Sequence, residues 1–402
     1  MRRVVVTGMA PVCSLGTNAD MVFYRICKKE IAVAEISKNT ELLKKMKTSF
    51  YTPIVEIDDS RYEGRLHTIK RKAKINAYLA GYAALEALAD GGIDKVDEDA
   101  MVIIGTSVPL IQDVINIHKT YIDSQKIELM SVPSMMVNSL VSWVSILLGI
   151  HGGSMLVSSA CASGTESIGY GYEKILMGKT DMAICGACDY MLDDVWLCMK
   201  GFEKLKVISS SPDGKSYPFS EERSGFLFSE GGAGILILEE LEHALRRNAK
   251  IYAEITGFEM NCDGYSIISM PEDGENIVSM MKRLIGDKKV DYYNAHGTGT
   301  RLNDLVESRV IQRVFGAKLN QPAINSSKAF LGHTLAASGA LEAIICVESI
   351  LNNRVHGNIC KTVMEDLNLK LETREMDVNC AVSASFGFGG HNAALMIERY
   401  NS

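Results

Sequence analysis

MLVSSACASGTES, running from Met155 to Ser167, is the stretch on which the fold turns. Its apolar start reads as a strand from Met155 to Ala160, and Ser163 to Met177 reads as a helix stopped by Gly178. Cys161 falls at the junction between them. A sulfur placed there faces the positive end of the helix dipole and unpaired backbone N–H groups. Those features are expected to favour the thiolate and to offer N–H donors to an oxyanion. A buried, inert cysteine is the other reading of the same position.

Similar patterns recur outward from this point. VNCAVSASFGFGG (Val378 to Gly390) also runs from an apolar strand through Ser-Ala into a small-residue turn, and VVVTGMA (Val4 to Ala10) has a counterpart in YAEITGFEM (Tyr252 to Met260). Two related halves, residues 1–250 and 251–402, are expected from this repetition, with a shared site where equivalent strand ends meet. Further strands are expected at Val4–Thr7, Met101–Gly105, Met182–Cys185 and Gly234–Leu238, and a helix at Ala73–Ala89. Strands alternating with helices predict an α/β protein. Ser209 to Glu230 holds two of the eight prolines with Ser, Gly and charged residues, and reads as a long functional or covering loop.

The bulk numbers narrow the choice. With 47% hydrophobic and 23% charged residues among 402, the chain is not a mainly disordered one. Its formal charge of -7 argues against nucleic-acid binding through a global positive field. RLHTIKRKAK (Arg65 to Lys74) is a local basic run, read first as a solvated helix face. The ten cysteines show no framework of paired spacings, and the Cys185/Cys188 pair lacks the second pair that zinc would need, so no metal is expected. MRRVVVTGMA opens as a buried strand rather than a signal peptide. Ser139 to Ile150 is too short to cross a bilayer and reads as a core helix, so a cytoplasmic protein with reduced thiols is expected.

Two of the eight histidines occupy junctions like that of Cys161. His296 lies in NAHGTGT after the strand-like Val290 to Tyr293, and His333 in GHT ahead of the Ala-rich helix Leu335 to Ile350. Side chains at such junctions project into a crevice beyond strand ends. Lys328 precedes His333 by five residues, and Glu342, fourteen residues after Lys328, is a carboxylate on an otherwise apolar helix face, which suggests a buried ion pair tuning the histidines. Phe388 sits in the glycine-rich turn SFGFGG, whose spacing is not that of a dinucleotide fingerprint.

Together these motifs resemble the elongating, Cys-His-His β-ketoacyl-acyl carrier protein synthases of the condensing-enzyme family, across nearly the whole chain. The resemblance rests on VVVTGMA, SSACASGTESI, PFSEERSGFLFSEGGAG, AHGTGT with Asp304 and Glu307 beyond it, NSSKAFLGHTLAASGALE and SFGFGGHN, in that order. It implies a thiolase-like α/β fold, two pseudo-symmetric halves in a layered α-β-α-β-α sandwich. It also implies an acyl group carried on Cys161, with the oxyanion held by N–H groups of Cys161 and Phe388. His296 and His333 would stabilise the enolate left when malonyl carrier loses carbon dioxide. Lys328 with Glu342 would tune His333, and Phe388 would gate the two half-reactions. Val108 would floor the acyl pocket, while Thr298 and Thr300 would line the substrate site. The implied partners are acyl carrier protein and a second chain, in a homodimer or with a synthase-like subunit. Lys70, Arg71, Lys74, Lys204 and Lys206 would dock the acidic carrier. No cofactor is implied, because decarboxylation makes the carbon nucleophile.

Several residues depart from the housekeeping pattern: His391 for Thr, Gly299 for Ser, Ser266 for His, Ser220 for Asp, and Pro109 in a glycine run. They point to a specialised fatty-acid, polyketide or polyene pathway. Two other readings stay open at this level. One is a cysteine hydrolase or acyltransferase using one histidine; the other is a silent chain-length partner, against which Cys161 argues.

Overall fold

A computed structural model describes residues 2–36, 44–73, 75–108, 111–364 and 366–401. Ten strands make its main sheet: β1 Val4–Val12, β2 Met101–Gly105, β3 Ser154–Val157, β4 Met182–Tyr190, β5 Gly231–Glu240, β6 Ala253–Cys262, β7 Tyr292–Asn294, β8 Ala323–Asn325, β9 Cys380–Gly387 and β10 His391–Glu398. Their spatial order is β8-β7-β9-β10-β6-β1-β5-β4-β2-β3. Counted outward from the central β1–β6 pair, the order 1-5-4-2-3 is repeated as 6-10-9-7-8. The directions repeat too. β2 runs parallel to β3 and β4, as β7 does to β8 and β9, and every other neighbouring pair is antiparallel.

This order bears out the thiolase-like architecture and corrects one part of the expected repetition. β1 and β6 are counterparts, as VVVTGMA and YAEITGFEM suggested. The strand before Cys161, β3, corresponds instead to β8, and β9 corresponds to β4. Any apolar strand running into small residues looks alike in one dimension, and only the pairing order tells them apart.

Among the helices that layer this sheet are α1 Ile75–Asp90, α2 Ser163–Leu176, α3 Glu275–Ile285, α4 Arg301–Phe315 and α5 Ala337–Asn352. α2 and α5 follow equivalent strands and touch strands of both halves, so they form the middle layer. Every residue of α5 from Ala337 to Ile350 is buried, as a helix enclosed on all sides requires. The two helices approach so closely that a Cβ on Gly164 would stand 2.4 Å from the Ala336 carbonyl oxygen. α1 covers the outside of the first half and α3 with α4 that of the second.

One expectation needs adjusting: Ser139–Leu148 is helical but buries only one face, with Ile146 left 66% exposed. Residues 209–230 are a long, mostly irregular stretch, as expected, with Tyr217, Phe219 and Phe226 to Ser229 buried. Cys185 and Cys188 are buried free thiols on β4, packed in different apolar clusters, because residues three apart on a strand point to opposite faces. Among the described residues no group of side chains is arranged to hold a metal, and no helix is long and apolar enough to cross a membrane.

Candidate active site

The three expected reactive residues converge. Cys161 lies in a single 3-10 turn, Ala160–Ala162, between β3 and α2, with Ala160 in a left-handed conformation (φ 51°). His333 follows β8 after the short helix Lys328–Leu331, and His296 follows β7. The pseudo-symmetry therefore sets Cys161 and His333 at equivalent strand ends on either side of the molecular centre. His333 Nε2 is 3.2 Å from Cys161 Sγ, and its Nδ1 is 3.0 Å from Ser338 Oγ at the start of α5. The two imidazoles stand edge to face with centroids 5.6 Å apart, and Phe226 closes on the other side of His333 at 5.0 Å.

Buried carboxylates fix the loop that carries His296. Glu307 accepts from the N–H groups of His296 (2.9 Å) and Gly297 (2.7 Å) and from the Tyr293 hydroxyl (3.0 Å). Asp304 accepts from the N–H groups of Gly299 (3.1 Å) and Phe219 (2.7 Å). Gly299 itself has φ 75°, and a Cβ there would meet Ser216 Oγ at 2.4 Å, so a serine does not fit this turn. His296 Nδ1 has no hydrogen-bond partner among the described residues, while its ring lines the cavity. Lys328 and Glu342, both buried, form an ion pair.

Protonation departs from the expected thiolate. Cys161 is 8% exposed, and burial pushes its thiol up to about 12; Lys328 and the N–H groups of Phe388 and Cys161 pull it back only in part. The turn at 160–162 also separates the sulfur from α2, weakening the helix-end effect. Burial and the Lys328 charge hold both histidines well below their ordinary value, with His333 adding to the effect on His296. The resting pair is thus a neutral thiol beside a neutral imidazole. His333 Nε2 is placed to take the proton as sulfur attacks.

A cavity of about 510 Å³ leads to these groups. Cys161, His296, His333 and Phe388 line it, and Thr298 and Thr300 lie along it. At Gly387 a Cβ would stand 3.2 Å from the Cys161 N and 2.6 Å from the Ser159 carbonyl oxygen, so the glycine keeps open the cradle of N–H groups beside the sulfur. Val108 does not line this cavity; it packs in the apolar cluster that contains Cys161 and Leu335. Lys206 lines the cavity with Arg301, which sequence reasoning missed although it follows the HGTGT motif directly. Lys204 ends the helix Leu197–Lys204 next to it. Lys70 and Arg71 are on the helix Glu63–Lys72, away from the cavity lining, with Lys70 paired to Asp59 at 2.5 Å. Lys74 and Pro109 lie outside the described residues.

The other departures have local contexts. Ser220 Oγ accepts from the N–H groups of Lys361 and Thr362, both at 3.3 Å. Ser266 Oγ accepts from the Ile268 N–H at 3.4 Å and does not line the cavity. His391 opens β10 beside Gly389, and Glu166, in the first turn of α2, is a buried carboxyl that burial pushes above its ordinary value.

Comparison with known proteins agrees with this geometry. The family model described as Beta-ketoacyl synthase, N-terminal domain, matches residues 1–244, and the C-terminal domain of the same family matches residues 252–360. A 3-oxoacyl-[acyl-carrier-protein] synthase 2 of Vibrio cholerae is 31% identical over 417 residues, covering 99% of each chain. The ishigamide ketosynthase/chain length factor structure superposes with a TM-score of 0.88 at 26% identity, covering all of both chains. A type II polyketide synthase ketosynthase, solved in complex with its acyl-carrier protein, gives a TM-score of 0.87 at 27% identity over 99% of this chain and 100% of that one.

Proposed function

This chain belongs to the β-ketoacyl synthase family, and we propose that it condenses an acyl group held on Cys161 with malonyl-acyl carrier protein, releasing carbon dioxide and a 3-ketoacyl carrier. The observation that carries this reading is the meeting of Cys161, His333 and His296 at the end of one cavity. A hydrolase needs one histidine; two neutral imidazoles around one thiol suit a reaction that also makes an enolate.

In the first half-reaction the sulfur attacks the acyl thioester, and its proton passes to His333 Nε2 and on to the departing carrier thiol. The N–H groups of Cys161 and Phe388 receive the oxyanion. In the second, N–H groups of His296 and His333 donate to the thioester oxygen of malonyl carrier as its carboxylate leaves, His333 having first moved its ring proton from Nδ1 to Nε2, the nitrogen that faces Cys161. The carbanion attacks the acyl carbon, Cys161 leaves as thiolate, and a proton from solvent restores the thiol. Burial, reinforced by the charge of Lys328 in its pair with Glu342, keeps both imidazoles neutral. Phe388, between Gly387 and Gly389, gates the passage between the two steps. The chemistry needs no cofactor beyond the carrier's phosphopantetheine.

Val108 acts on the acyl side of the pocket from behind its lining, through the apolar cluster it shares with Cys161 and Leu335, and Thr298 and Thr300 guide the carrier arm. The acidic carrier docks through Lys204 and Lys206 beside the cavity, and through Lys70 and Arg71 on the helix 63–72. Residues 1–250 and 251–402 act as the two halves, one bringing the nucleophile and the other both histidines. A second subunit, the same chain or a synthase-like one, covers the exposed Ile146 on the helix 139–148, which packs on the edge strand β3, together with the exposed Leu129, Val132 and Met136 that precede that helix. The protein works in the cytoplasm in a specialised pathway, a reading supported by His391, Gly299 and Ser266.

Intact-mass spectrometry with a panel of acyl-loaded carriers, followed by malonyl carrier, tests the reaction. The expected result is an adduct absent from Cys161→Ala, then discharged with release of carbon dioxide and a 3-ketoacyl carrier. An adduct that only hydrolyses would overturn the condensing reading, and no adduct from any carrier would favour the silent-partner one.

A further inference from the structure

Asp189, fully buried near the end of β4, is a point where two parts of the site meet. Its Oδ1 accepts from Thr106 Oγ1 (2.8 Å) and from the N–H groups of Ser107 (2.9 Å) and Val108 (3.2 Å). Its Oδ2 accepts from Ser107 Oγ (2.5 Å) and from the Ala336 N–H (2.9 Å). None of these five donors is cationic. A carboxylate buried without a cation persists only where donors converge on it, and here they come from two separate segments.

The first segment is the loop after β2, which carries Val108. The second is the turn that leads His333 into α5. Leu335, immediately before Ala336, has φ 49°, a left-handed conformation unusual for a branched side chain. Leu335 also lines the cavity and shares an apolar cluster with Val108 and Cys161. One carboxylate therefore fixes the apolar wall on the acyl side and the strained turn behind His333. The corresponding loop after β7 is held in the same way by Glu307, but that carboxylate stays within one half of the site.

We propose that Asp189 is a positioning residue for acyl-chain selection, holding the Val108 loop and the His333 turn in one register. Displacing the loop displaces the turn, so the chain accepted on Cys161 and the alignment of His333 are set together. The inference deepens the condensing reading and rests on it.

The test measures kcat/KM for Cys161 acylation from short-, medium- and long-chain carriers, and for condensation afterwards, in wild type, Asp189→Asn and Ser107→Ala. Asp189→Asn is expected to change the long-to-short ratio by about tenfold, the scale of one hydrogen bond to a charged group. Acylation and condensation should both fall, because His333 serves each step. Ser107→Ala, which removes one donor, should move the ratio the same way by a smaller factor. An equal loss at every chain length with a lower melting temperature would make Asp189 a general brace and overturn the proposal. If Asp189→Asn does not fold, Ser107→Ala decides, and an unchanged ratio there sinks the idea. Wild-type protein that acylates without condensing would instead count against the condensing reading, leaving the acylation ratio to judge Asp189.

Discussion

Gly387→Ala tests how the site holds the oxyanion. The added Cβ would stand 2.6 Å from the Ser159 carbonyl oxygen, 3.2 Å from the Cys161 N and 3.3 Å from the Ala162 N. All three are backbone atoms, so no flexible side chain can yield. The methyl would occupy the space an oxyanion needs beside the Cys161 N–H. Losing one such donor costs about 10²–10³ in rate, or about 2.7–4 kcal/mol. The crowding itself should cost about 1–3 kcal/mol of stability, so the melting temperature should fall without loss of the fold. Acylation of Cys161 is followed by intact mass against alkylation by iodoacetamide, which displaces iodide and forms no oxyanion. Slow acylation with wild-type alkylation is the expected pattern. Acylation at the wild-type rate would refute the reasoning, and so would an equal fall in both rates, which would point to a damaged nucleophile.

Lys328→Met should cost about 3–5 kcal/mol in urea unfolding, because Glu342 is left buried and unpaired. Adding Glu342→Gln should restore most of that stability but not condensation; a double variant as unstable as the single one would contradict this. Because burial raises the Cys161 thiol to about 12, the thiolate stays a minor form at neutral pH. Alkylation should therefore rise about tenfold per pH unit well above neutrality, whereas a plateau near neutrality would show a pre-formed thiolate. Lys206→Glu and Arg71→Glu should each raise KM for the carrier and weaken its salt dependence while sparing a small thioester. A variant that leaves both quantities unchanged removes its residue from the docking surface.

Much of the site was legible because its signals are local. An apolar run passing into small residues marks a strand end, and Cys161 and His296 each follow one, while His333 heads an Ala-rich helix. Lys328 and Glu342 were readable as a pair because a carboxylate on an apolar helix face demands a partner. Asp189 was not legible. In sequence it follows Cys188, beyond the expected strand Met182–Cys185, and its partners lie 81 to 83 and 147 residues away. Arg301 was passed over for a similar reason, since a charge opening a helix is usually solvated and only the closed fold sets it at the cavity.

The sequence by itself determined the alternation of strands and helices, the small-residue junctions and the identity of the groups placed there, since each depends on neighbours a few residues away. Tertiary structure decided which strands are equivalent, and so why Cys161 and His333 face each other from matching positions. It also decided protonation. A helix end favours a thiolate, but desolvation depends on what closes over the sulfur, and enclosure by both halves outweighs the local field.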